Sequence, residues 1–148
     1  MSKEIGKPFP DFKVLDGTVE VSNESLKGKV VLINFWFEAC KPCMEEMKTL
    51  NDLYQKFEMN KNFEFISFAR DNSEAIKRVQ NKFSLKFKVF QVQSEECYRL
   101  NKNTGFPATM IVNRDGKIVY FTIGAINNTN GKDEKVTEML LAEIRKGN

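Results

Sequence analysis

Histidine is absent from the chain, and cysteine occurs only three times. The first absence excludes every Ser-His-Asp and Cys-His nucleophile arrangement. With so few thiols it also removes the usual zinc constellations, which need His or at least four Cys. Three cysteines are too few for a disulfide-dense secreted scaffold. No apolar run approaches the about 18 residues of a membrane span, and the longest, Val30 to Phe37, is broken by Asn34. Neither a G-x-x-x-x-G-K-[ST] nor a G-x-G-x-x-G phosphate loop is present. Repeats, low-complexity tracts and linkers are lacking. The start, Met1-Ser2-Lys3-Glu4, has no apolar h-region, so no signal peptide is expected in these residues. Charge of one sign is scarce too: 23 Lys and Arg against 20 Asp and Glu leave +3, too little to point to nucleic acid.

What is present is enough for one domain, expected over residues 1–148. A chain this long buries about 68–70% of its unfolded surface. A hydrophobic fraction of 41%, with 13 Phe, supplies the core.

Residues 12–21 read as a hairpin turning at Asp16-Gly17, and Asn23 to Gly28 as a turn into the core. Val30 to Phe37 is nearly all apolar, the pattern of a strand covered on both faces. From Cys43 to about Met59, apolar residues recur at spacings of three and four (Met44, Met47, Leu50, Leu53, Tyr54, Phe57) and predict a helix. Phe63 to Ala69 is a second strand. Ser73 to about Lys82 is a helix with Ser73 as its N-cap, and Phe87 to Val92 is a short strand. A brief helix at Cys97 to Asn101 precedes the Gly105-Phe106-Pro107 break. Ala108 to Val112 and Lys117 to Thr122 form a hairpin around Asn113 to Gly116, and Asp133 to about Lys146 is the last helix. This order predicts an α/β fold: a mixed central sheet with helices on both faces and an added N-terminal hairpin.

The chemistry lies in Cys40-Lys41-Pro42-Cys43. The spacing sets the thiols one helical turn apart, within reach of a disulfide. A strand running into a helix puts Cys40 at the helix N-terminus, where free amides and the positive dipole end favour a thiolate. Lys41 acts in the same sense, and Pro42 suits an early helical position that needs no N–H. Cys40 is thereby the exposed attacking thiol and Cys43 the buried resolving one. The alternative for such a pair is half a metal site completed by carboxylates or a second chain.

Phe35-Trp36-Phe37-Glu38-Ala39-Cys40-Lys41-Pro42-Cys43, followed by Gly105-Phe106-Pro107-Ala108-Thr109, resembles the thioredoxin superfamily. Residues 5–12 and 26–36 resemble its TlpA/ResA-like branch. The resemblance implies a thioredoxin fold and a cis-proline at Pro107 packed against the disulfide. Read without it, Pro107 is an ordinary trans residue opening a strand. It implies that the backbone of Phe106 pairs with an extended substrate. Glu46 would lie near the cysteines and tune them; its plain alternative is an exposed carboxylate beside Glu45. Asn34 stands where thioredoxins carry a titrating Asp, which removes that proton route. Ala39 replaces the Trp that precedes the first thioredoxin Cys. Glu38 is expected at the surface, where it would oppose a thiolate. Trp36 is expected in the core beneath the site. Cys97 reads as a partly buried structural thiol, with a regulatory or second redox role as the alternative.

The function implied is thiol-disulfide exchange with protein substrates, as a reductant fed by an upstream electron donor, with no organic cofactor beyond the Cys40–Cys43 dithiol. The branch implies a cell-envelope setting, with the cytoplasm as alternative, monomeric action, and in some relatives an apocytochrome c client. Two other readings are a thiol peroxidase and a binding module or Cu(I) carrier built on the cysteine pair. The first lacks its motif, since Ile33 and Phe37 occupy the positions seven and three before Cys40.

Overall fold

The computed structural model describes residues 2–147; Met1, where the N-terminal reading begins, and Asn148 lie outside them. Strands β1 (Lys13–Asp16) and β2 (Val19–Ser22) pair antiparallel as the expected hairpin. Gly17 supplies the positive φ of 63° that opens its two-residue loop.

A second sheet of five strands has the order β5-β4-β3-β6-β7. Its members are β3 (Val30–Trp36), β4 (Phe63–Ala69), β5 (Lys88–Gln91), β6 (Ala108–Val112) and β7 (Ile118–Ile123). The all-apolar β3 is central and buried along its whole length, parallel to β4 and antiparallel to β6. Such a strand must be covered from both sides. Helices α1 (Lys41–Phe57), α2 (Ser73–Phe83) and α4 (Lys132–Arg145) cover one face. The other is covered by α3 (Ser94–Leu100) with Phe9 and Phe12 of the N-terminal segment. The predicted mixed sheet with helices on both faces is therefore found.

Helix boundaries differ where caps decide them. Helix α1 starts at Lys41, ahead of the predicted Cys43, because Cys40 is itself the N-cap. Asn72, not Ser73, caps α2: its side-chain oxygen accepts from the Ala75 N–H at 2.9 Å. Ser84 closes that helix in the left-handed region, at φ 50°. Helix α3 begins at Ser94 rather than Cys97, with Glu95 and Glu96 complementing its N-terminal dipole. Strand β5 is two residues shorter than residues 87–92, because only Lys88–Gln91 pair with β4. No helix among the described residues is long and apolar enough to cross a membrane.

Candidate active site

The carboxyl ends of the parallel strands β3 and β4 form the edge of the sheet where the site is built, the usual position in open α/β sheets. Strand β3 ends at Trp36, and after three further residues the chain reaches Cys40. Cys40 has extended backbone (φ −85°, ψ 104°), and its sulfur accepts from the Cys43 N–H at 3.3 Å. Cys40 and Cys43 are joined by a disulfide with a Cα–Cα distance of 5.2 Å. Cys40 is the more accessible of the two, as the sequence led one to expect, but it retains only 7% exposure against 0% for Cys43. Lys41 and Pro42 are exposed in the first turn, and Pro42 sits where its missing N–H costs nothing.

The second part of the site arrives from the loop before β6. The Phe106–Pro107 bond is cis, as the family resemblance implied and the residues alone did not. The ring of Phe106 packs edge-on to Phe37 at 5.3 Å, and the Phe37 carbonyl accepts from the Cys40 N–H at 3.1 Å. Pro107 is held in turn by the Gly124 N–H, which donates to its carbonyl at 2.8 Å. Buried Asn101 steadies the approach: its side chain accepts from Thr104 N–H at 3.2 Å and donates to the Gly105 carbonyl at 3.3 Å.

Beneath the disulfide lies a buried polar chain. Trp36 is fully buried, and its indole N–H donates to Ser67 Oγ at 2.7 Å. Ser67 donates to Asn34 Oδ1 at 3.3 Å, and Asn34 Nδ2 donates to Glu46 Oε1 at 2.9 Å. The other carboxylate oxygen of Glu46 accepts from the Ile126 N–H at 2.9 Å. Glu46 is thus not the exposed helix carboxylate that one reading allowed. It is fully buried on the α1 face that carries Cys43. Burial pushes its carboxyl up to about 8, against the lowering influence of the Ile126 and Asn34 donors and of the Lys132 charge.

Glu38 is at the surface, but Arg78 takes it in a two-pronged ion pair at 2.8 and 2.9 Å. That pairing holds its carboxyl below the ordinary range and offsets the repulsion expected toward a Cys40 thiolate. Cys97 is fully buried rather than partly so, and burial pushes its thiol up to about 11. The described residues contain no group of three or more Cys, Asp or Glu side chains able to hold a metal ion.

Five positions escaped the sequence reading: Ser67, Asp71, Arg70, Asn101 and Ile126. Asp71 accepts from the Glu38 N–H at 2.7 Å and so pins the loop before Cys40. The Ile126 contribution is a backbone N–H, which leaves no mark on side-chain identity. An isolated polar residue inside an apolar strand was the available signal for Ser67.

A disulfide at the mouth of a helix, linked through Phe37 to a cis-proline turn of this sheet, defines a thiol-disulfide oxidoreductase of the thioredoxin-fold class. The chain belongs to the AhpC/TSA family, which matches residues 5–121. It is 35% identical over 123 residues to the thiol-disulfide oxidoreductase ResA of Bacillus thuringiensis strain Al Hakam, spanning 82% of this chain and 70% of that protein. Over 141 residues it is 29% identical to the thiol:disulfide interchange protein DsbE of Pseudomonas fluorescens biotype C, spanning 90% and 74%. It also superposes on a Chlorobium tepidum structure named as a thiol:disulfide interchange protein DsbE, with a TM-score of 0.82 over 97% of this chain and 99% of that one. Identity there is 23%, so that likeness speaks for the fold.

Proposed function

We propose that the protein reduces disulfides in client proteins, with Cys40 as nucleophile and Cys43 as resolving thiol. The observation that carries this reading is the Cys40–Cys43 disulfide at the N-terminus of α1, linked through Phe37 to the cis Phe106–Pro107 turn. In the reduced protein, the Cys40 thiolate attacks one sulfur of a client disulfide. A Cys40–client bond forms, and the client's second sulfur leaves as a thiolate that takes a proton from water. Cys43 then loses its proton and attacks Cys40 Sγ, releasing the first client sulfur. Two electrons have passed to the client, and the protein holds the disulfide seen here. A second dithiol upstream must restore the reduced state.

Each support group has a part in this cycle. The unpaired amides of the first α1 turn and Lys41 favour the Cys40 thiolate, and Pro42 keeps that turn rigid. Glu46, buried one turn beyond Cys43 on the same helix, would tune that thiol. Trp36 anchors the polar chain leading to Glu46. Among the described residues no backbone hydrogen bond uses the N–H or C=O of Phe106, which suits pairing with an extended client segment. The TlpA/ResA-like resemblance implies a cell-envelope setting and, as in some relatives, an apocytochrome c client. The protein would work there as a single thioredoxin-like domain and a monomer.

The test is covalent trapping. A Cys43→Ser variant should retain a client disulfide peptide on Cys40, releasable by dithiothreitol, and adding Cys40→Ser should abolish capture. If the wild type shows no reversible dithiol/disulfide transition in a glutathione titration, the reading fails.

A further inference from the structure

Arg70 follows the last residue of β4 and lies beside Phe37, because Trp36 and Ala69 are partners in the parallel β3–β4 register. Its guanidinium carbon sits 4.2 Å above the Phe37 ring centroid and 5.8 Å from that of Phe106. Tyr98, exposed on α3, also packs edge-on to Phe106, at 5.4 Å. One cation and two aromatic rings, those of Phe37 and Tyr98, therefore pack around Phe106, the residue before the cis-proline.

Arg70 makes no ion pair among the described residues, and its buried Nε has no hydrogen-bond partner. Neither nearby acid forms an ion pair with it among the described residues. Asp71 accepts from the Glu38 N–H, and Glu38 is held by Arg78. The cation–π contact holds the guanidinium over the Phe37 ring, and its terminal nitrogens supply a donor fork. Such a fork fits a carboxylate with two parallel hydrogen bonds. A client segment lying along the Phe106 backbone carries its residues next to the reacting cysteine over this fork.

We propose that Arg70, stacked on Phe37 and Phe106 and flanked by Tyr98, is a specificity subsite for a carboxylate side chain adjacent to the reacting cysteine of the client. The subsite rests on the disulfide-reductase reading above and adds a preference to it. Arg70 takes no part in the electron transfer: the client disulfide is still reduced to two thiols as the Cys40–Cys43 dithiol is oxidised.

The experiment compares two disulfide-linked, capped short peptides that carry glutamate or glutamine next to their cysteine. Reduction by the dithiol protein is measured as kcat/KM, and each rate is divided by that of the same peptide with dithiothreitol. The expected result is an about tenfold preference for glutamate in the wild type, equivalent to about 1.4 kcal/mol. The preference should fall as salt is raised. Arg70→Gln should bring the ratio to about one, and Arg70→Lys, which keeps the charge without the fork, should leave an intermediate ratio. Because a ratio is read, a general loss of activity or fold does not mimic the effect. Equal wild-type rates on the two peptides, or a preference that survives Arg70→Gln, overturns the subsite alone. No reduction of either peptide overturns the disulfide-reductase reading and the subsite with it.

Discussion

The Asn34 side-chain amide donates to the Glu46 carboxylate at 2.9 Å, joining the central strand β3 to helix α1 inside the core. The bond completes a series in which Trp36, Ser67 and Asn34 each donate to the next group and the carboxylate accepts last. With the Ile126 N–H on its other oxygen, Glu46 meets only donors among its hydrogen-bond partners, an arrangement suited to negative charge. Burial opposes that charge and wins, which leaves the carboxyl at about 8.

Replacing Asn34 by Leu strips one donor from Glu46 and leaves the Ser67 hydroxyl without an acceptor. A buried group left unpaired costs about 1–3 kcal/mol. The loss should be larger at about pH 9, where Glu46 is ionised, than at about pH 5. Urea unfolding of Asn34→Leu at the two pH values measures this. An equal loss at both would separate Asn34 from the charge on Glu46.

Glu46 also predicts the sign of the pH dependence of stability. Its carboxyl is raised from 4.5 to about 8, so the folded state holds this proton more tightly than the unfolded chain. The contribution is full below the unfolded value and lost as pH rises through the folded one. The oxidised wild type should therefore lose stability between about pH 4.5 and about pH 8, and Glu46→Gln should flatten that decline. Thermal unfolding across the range is the measurement, and parallel curves for the two proteins would refute it.

Cys97 should be chemically silent in the native protein. It is fully buried, and its thiol is pushed up to about 11, so little thiolate exists at neutral pH. Iodoacetamide should label Cys40 after mild reduction, and Cys97 only in denaturant. Fast labelling of Cys97 by mass spectrometry in the native state would show that α3 opens.

Asn101 should influence client binding without touching the cysteines. Its side chain ties Thr104 and Gly105 just ahead of Phe106. Asn101→Ala should cost about 1–3 kcal/mol of stability. It should also raise KM for a disulfide peptide by a larger factor than it lowers kcat. A kcat loss alone would place the effect on the chemistry instead.

Much of this architecture was legible residue by residue. The apolar stripe from Met44 to Phe57 marked α1, the apolar run at Val30 marked the central strand, and Gly17 and Gly116 marked the hairpin turns. Caps were less legible, because Asn72 and Ser73 are both acceptable N-cap types and only the backbone path chose between them. Glu46 resisted for a similar reason. A carboxylate at a helical position beside Glu45 carries no sign of which one faces inward.

The amino-acid order alone set the strand, the helix that follows it and the two sulfurs at their junction, since those depend on side-chain period and on spacing within one turn. Only the folded chain decided which carboxylate is sealed in the core and which arginine is left over the aromatic rings. The partners of Glu46 are Asn34, 12 residues away, and Ile126, 80 residues away. Phe37, Arg70 and Phe106 likewise come from three separate segments. Local periodicity cannot encode such meetings, because they are fixed by how the strands line up in the sheet and by which loops share its edge.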